Sequence, residues 1–248
     1  MTQTTYDPLD VSVQQNPFPH YKNLRESHPV VWVDSLQAYV VSRYDDVQEV
    51  LTNKERFTSE NFWDSLVGEF NPVPDAIWLI SVDGPDHLRL RRLANKAFAP
   101  SRFAQMRVQI ESIIDGLLED VTKEGDAANR ERMDEERYRN CREATDTMKC
   151  YFEEVIAERR AKPSDDLISA FIQAEDNGNM LSANEVLANT ILLLTGGVET
   201  TSNLTGSIMG ILATRPDVYE AVKADQALIP QLIEETLRFS SPVQILFR

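Results

Sequence analysis

The sequence predicts a mainly α protein with a small β-hairpin region, and three observations carry that prediction. Apolar and small residues recur at helical intervals through Leu187, Ile191, Leu194, Val198, Thr201, Thr205, Ile208 and Leu212. Two short alternating segments, Val30–Val33 and 38–42, flank the polar connection Asp34-Ser35-Leu36-Gln37 and read as a hairpin. A hydrophobic fraction of 42% over 248 residues is enough for a buried core.

Taken in order, NPFPHYKNLRES reads as a short helix, the hairpin follows, and YDDVQEVLTN reads as another helix. Residues 61–81 hold two prolines and two tryptophans without a clean period, so they predict a loop with short helical pieces that lines a pocket. Asp83-Gly84-Pro85 is a start signal for a helix to about Phe98. Ala99-Pro100-Ser101 breaks it, and a second amphipathic helix is expected to about Thr122. The stretch 124–142 is crowded with charge, after which Cys141, Ala144, Met148, Phe152 and Val155 restore a helical stripe. Pro163-Ser164-Asp165-Asp166 caps a helix through Ala174, and Asp176-Asn177-Gly178-Asn179 is a turn.

Ser182 and Glu185 have capping-box spacing before one helix of about thirty residues, 183–214, roughly 45 Å long. Arg215-Pro216 ends it and begins a shorter helix to about Ala224; PQLIEETLRFSS is the last helix, before a strand-like VQILF. A single domain is expected, with a helix and hairpin part over 1–82 and a helical part over 83–248.

Acidic residues outnumber basic ones by 40 to 25, a net charge of -15, which argues against a nucleic-acid partner. The opening MTQTTYDPLDVSVQQ has no basic and apolar leader, and Glu199, Asn189 and Asn203 argue against a membrane span, so a cytoplasmic protein is expected. Cys141 and Cys150 show neither a disulfide framework nor a zinc spacing.

Against that acidic background some residues stand out. Gly196 and Gly197 lie inside the long helix, where two glycines cost roughly 2 kcal/mol relative to alanine. Glycines there let something flat or bulky approach the backbone, and Glu199 with Thr200 beside them forms a proton relay in outline. The alternative is a kinked packing helix with a buried, hydrogen-bonded Glu199. Residues 88–110 contain six cations, Arg89, Arg91, Arg92, Lys96, Arg102 and Arg107, and no acid. His87 and Arg91 lie one turn apart and can donate to one anionic group; a solvated basic helix is the competing account. Glu235 and Arg238, at i and i+3, form a structural ion pair.

Read together, NPFPHYKNLRE with the hairpin, DGPDHLRLRRLANKAFAP, LTGGVETTSNL and EETLRFSSPVQILFR resemble the cytochrome P450 family of haem-thiolate monooxygenases in its soluble bacterial form. The resemblance implies haem b as cofactor and oxygen insertion into a small organic substrate. It also implies a role for each residue. Gly196 and Gly197 match the small pair where the long helix passes over the haem, and Glu199 and Thr200 match the acid–alcohol pair that delivers protons. His87, Arg91 and Arg248 match donors to the haem propionates, and Glu235 with Arg238 match the family's Glu-x-x-Arg. The face around Arg89, Arg92 and Lys96 resembles a docking surface for an acidic electron donor such as a ferredoxin.

Two departures accompany the matches. The family's Phe-x-x-Gly-x-x-x-Cys-x-Gly loop has no counterpart here, and neither Cys141 nor Cys150 has its glycines, so an incomplete fold truncated before the haem-ligand cysteine is expected. Residues 125–140 are short and charged where the family has apolar helices, which points to an internal deletion. Because thiolate donation to iron favours O–O cleavage, these residues are expected to lack normal turnover. The alternatives are a non-catalytic binding or docking protein derived from the family, or a remnant without function.

Overall fold

A computed structural model describes residues 6–60, 62–98, 135–246 and 248. The predicted helix after residue 100, Arg102, Arg107 and residues 125–134 of the charged join lie outside them. The chain forms two compact units, one running to Thr58 and including Arg248, the other spanning Ser59–Phe247. The expected internal division after residue 82 falls inside the second unit.

In the first unit, α1 (Val11–Gln15) starts at Asp10, whose carboxylate accepts from the Ser12 amide at 2.7 Å. Sequence reasoning had no helix there. Helix α2 (Phe18–Ser27), strands β1 (Val30–Val33) and β2 (Ala38–Val41), and α3 (Tyr44–Thr52) follow as predicted. The strands pair antiparallel with Trp32 opposite Tyr39, and these rings meet edge to face at 5.1 Å. Gln37 takes φ 48° to close the connection. Tyr6, Val13, Leu24 and Val33 form this unit's core.

The second unit is helical. Helix α4 (Phe62–Val67) and the short turns Gly68–Phe70 and Leu79–Ser81 occupy the stretch expected to line a pocket. Its tryptophans instead stack on each other at 4.6 Å, both buried, so burial of two large rings makes this segment core. Helix α5 (Gly84–Ala97) begins with Gly84 at φ 62°, a left-handed value that a β-carbon resists, followed by Pro85 in the first turn. It buries Leu90, Leu93, Ala94 and Ala97.

On helix α6 (Glu135–Ala161), Met148 and Phe152 of the predicted stripe pack against the core, Val155 is half-buried, and Cys141 and Ala144 are exposed; Ile156, outside that stripe, is buried. Helix α7 (Leu167–Gln173) starts at Asp166, which accepts from the Ser169 amide at 2.7 Å. Strands β3 (Glu175–Asp176) and β4 (Asn179–Met180) pair across Asn177 and Gly178, at φ 54° and 83°, the backbone a two-residue hairpin turn needs.

The long helix is present as predicted: α8 (Ala183–Thr214) is 32 residues and unbroken. Its start is a capping box, with the Ser182 hydroxyl accepting from the Glu185 amide at 3.2 Å and the Ser182 amide donating to the Glu185 carboxylate at 2.8 Å. Helices α9 (Pro216–Ala224) and α10 (Ile229–Phe239) pack against its far end, where Ser207 and Ser240 are hydrogen-bonded at 3.2 Å. Residues 243–246 form no strand.

Candidate functional site

Helix α8 divides into stretches with different surroundings. Glu185 through Ile191 are all buried, packed among Trp63, Trp78, Ile156 and Phe171. From Leu194 to Asn203 every residue is exposed except the half-buried Thr200. Of the eight residues that predicted the helix, only Leu187 and Ile191 are buried; Val198 is 59% exposed.

Gly196 and Gly197 lie in that bare stretch. A β-carbon built at either would meet no atom within 4 Å, so the backbone is open to a large flat group. The helix runs without a break through the glycines. The Thr200 hydroxyl donates to the Gly196 carbonyl at 2.6 Å. That bond places Thr200 one turn beyond Gly196, on the glycine face. Glu199 is exposed, which removes the alternative in which it is a buried packing residue.

On α5, His87 is half-buried and Arg91 exposed, and neither has a hydrogen-bond or ion-pair partner among the described residues. Both donors are available. Arg248 is grouped with the first unit, where its guanidinium donates to the Phe57 carbonyl at 3.3 Å. Glu235 and Arg238 are paired, with Arg238 Nε donating to Glu235 at 2.8 Å, and both side chains are largely exposed.

Arg89 is not simply a surface cation: its guanidinium binds both oxygens of the Glu185 carboxylate, one contact at 3.4 Å and the other shorter. The Glu185 side chain is only 7% exposed. Burial pushes its carboxyl up, but the Arg89 guanidinium and the Ser182 amide outweigh that and hold it below its ordinary value. Sequence reasoning found Glu185 as a cap and Arg89 as a surface cation; no local pattern announces a partner 96 residues away. Arg92 and Lys96 are exposed.

Gly196 and Gly197 offer open backbone on α8, and His87 and Arg91 offer donors on α5. Both cysteines are exposed on α6, and neither belongs to a glycine-containing loop. Among the described residues no cluster of His, Cys, Asp and Glu is arranged to hold a metal ion, and no helix is long and apolar enough to cross a membrane.

Residues 129–248 match the family model described as Cytochrome P450. The putative cytochrome P450 YjiB of Bacillus subtilis is 29% identical, with 94% of this chain and 67% of the relative covered. That alignment runs over 282 positions, more than the chain's 248 residues, so the relative has internal positions without a counterpart here. The structure of cytochrome P450 CYP109Q5 from Chondromyces apiculatus matches with a TM-score of 0.80 at 30% identity, over 98% of this chain and 70% of that one. The structure of CYP109E1 from Bacillus megaterium in complex with corticosterone matches with a TM-score of 0.78 at 30% identity, over 94% and 69%.

Proposed function

Because the chain belongs to the cytochrome P450 family, we propose that α5 and the bare stretch of α8 form the haem-facing wall of a monooxygenase-type oxidoreductase, which inserts one oxygen atom from dioxygen into a small organic substrate. The observation that carries this reading is the open backbone at Gly196 and Gly197 with the Thr200 hydroxyl on the same helical face. The complex of the B. megaterium relative with corticosterone supports a small organic substrate.

Haem bound through a cysteine thiolate, as in the family, would supply the activation of dioxygen. Neither cysteine of this chain stands in such a loop, and the other roles fall to the residues of α5 and α8. Gly196 and Gly197 would let a macrocycle approach the α8 backbone, since a bulky side chain there would hold it away. His87 and Arg91 would donate to the propionates. Glu199 and Thr200 would hold and move protons beside the glycine pair. Glu235 and Arg238 form an exposed pair one turn apart on α10.

The exposed cations Arg92 and Lys96 belong in this reading to a docking face for an acidic electron donor such as a ferredoxin, while Arg89 is paired with Glu185. Reversing both charges weakens ferredoxin binding in this reading.

The test is reconstitution of the purified protein with haem, followed by absorbance titration and a carbon-monoxide difference spectrum. Haem uptake is expected, without the thiolate-type band, because no suitable cysteine is present in these residues. Uptake should fall in Arg91→Ala and Gly197→Leu. If both variants take up haem as the parent does, this assignment of the wall is wrong.

A further inference from the structure

The roles assigned to α5 leave Arg89 over, and its surroundings give it one. With about 100° of rotation per residue, Leu90, Leu93, Ala94 and Ala97 form the buried stripe of α5. On that wheel Arg89 flanks one side of the stripe and His87 the other, with Arg91 beside His87, about 200° from Arg89 on either count. A contact that pins Arg89 therefore fixes the rotation at which the opposite flank presents His87 and Arg91.

That contact is built for angle as well as attraction. The Glu185 carboxylate is almost fully buried, spans the Arg89 guanidinium with both oxygens, and has the Ser182 amide at 2.8 Å. A planar fork on a carboxylate held by its own helix cap resists rotation, whereas an ammonium on a flexible stem does not. Glu185 belongs to the first turn of α8, and α8 runs unbroken to the glycine pair, about 16 Å farther along at 1.5 Å per residue.

We propose that Arg89 and Glu185 are positioning residues: their ion pair tethers α5 to the start of α8 and sets the angle and reach at which His87 and Arg91 meet the edge of a group lying on Gly196 and Gly197. The assignment rests on the haem reading of His87, Arg91 and the glycine slot given above, and it goes beyond that reading in naming what holds the two helices in register.

The experiment has two readouts. Nitroxide labels are placed on exposed positions, Asn95 of α5 and Met209 of α8, in a protein with Cys141 and Cys150 changed to serine. Electron–electron resonance distances and haem titrations are then compared for the parent, Arg89→Lys and Arg89→Gln, with circular dichroism confirming that each is folded. The parent should give one narrow distance distribution, Arg89→Gln a broad one with haem affinity lower by about tenfold, the scale of coupling between linked sites, and Arg89→Lys an intermediate result. Glu185→Gln, which keeps an acceptor for the Ser182 amide, is the second variant should Arg89→Gln fail to fold. An unchanged distance distribution overturns the tether, and a broadened one with unchanged haem affinity overturns its role in holding the donors. A parent that takes up no haem sinks the haem reading and with it the donor role, while the label distances still decide the tether.

Discussion

The first and middle stretches of α8 belong to one unbroken helix and contain similar apolar residues, yet one is core and the other is bare. Ile191 is 0% exposed and Val198, two turns on, is 59% exposed. In the first stretch Asn189 and Thr190 return hydrogen bonds to the carbonyls of Glu185 and Val186 at 2.7 and 2.8 Å, and Glu185 is paired with Arg89. The surrounding space is filled by aromatic and aliphatic side chains from α4 to α7. In the middle stretch the small residues point at open space. Helical periodicity therefore reports which face is apolar, and says nothing of what covers it.

The largest effect separates these stretches directly. Ile191→Ala should destabilise the protein by about 3–4 kcal/mol through lost burial and a cavity, whereas Val198→Ala should stay within about 0.5 kcal/mol; urea midpoints give both. Similar midpoints for the two would erase the contrast.

Arg89→Gln comes next, at about 3 kcal/mol near neutral pH, because it leaves a buried carboxylate without its cation. Glu185 has a folded value below its ordinary 4.5, so the stability it contributes is fully present above 4.5 and is lost as pH falls through the lowered value. The difference between parent and variant should thus shrink on acidification, read from midpoints over a pH series. A gap that widens in acid would contradict the ion pair.

Gly197→Ala runs the other way. A methyl group there meets nothing within 4 Å and removes a helix penalty, so the haem-free protein should gain about 1 kcal/mol. Smallest of all, Arg238→Gln should leave the midpoint unmoved, since the Glu235–Arg238 pair is solvent-exposed. A loss there would mean that α10 depends on this pair more than its exposure implies.

Much of the fold was legible because its signals are local. The capping box at Ser182 and Glu185, the Asn177-Gly178 turn, the hairpin around Asp34–Gln37 and the start at Gly84-Pro85 each depend on a few neighbouring residues, and each appears where the sequence places it. What failed depends on partners distant in sequence. Trp63 and Trp78 needed each other to become core, and Arg89 needed Glu185. The residue types around the glycine pair were readable as a motif, while the openness of its surroundings was not, because space is a property of everything that packs nearby.

The three tryptophans are distributed so that the protein carries its own optical labels. Trp63 and Trp78 are stacked and shielded in the helical unit, and Trp32 sits on the hairpin of the other unit with its ring partly in water. Shielded indoles emit at shorter wavelength than wetted ones, so the blue part of the emission follows the helical unit. The red part follows the hairpin, and a single spectrum distinguishes loss of one unit from loss of both.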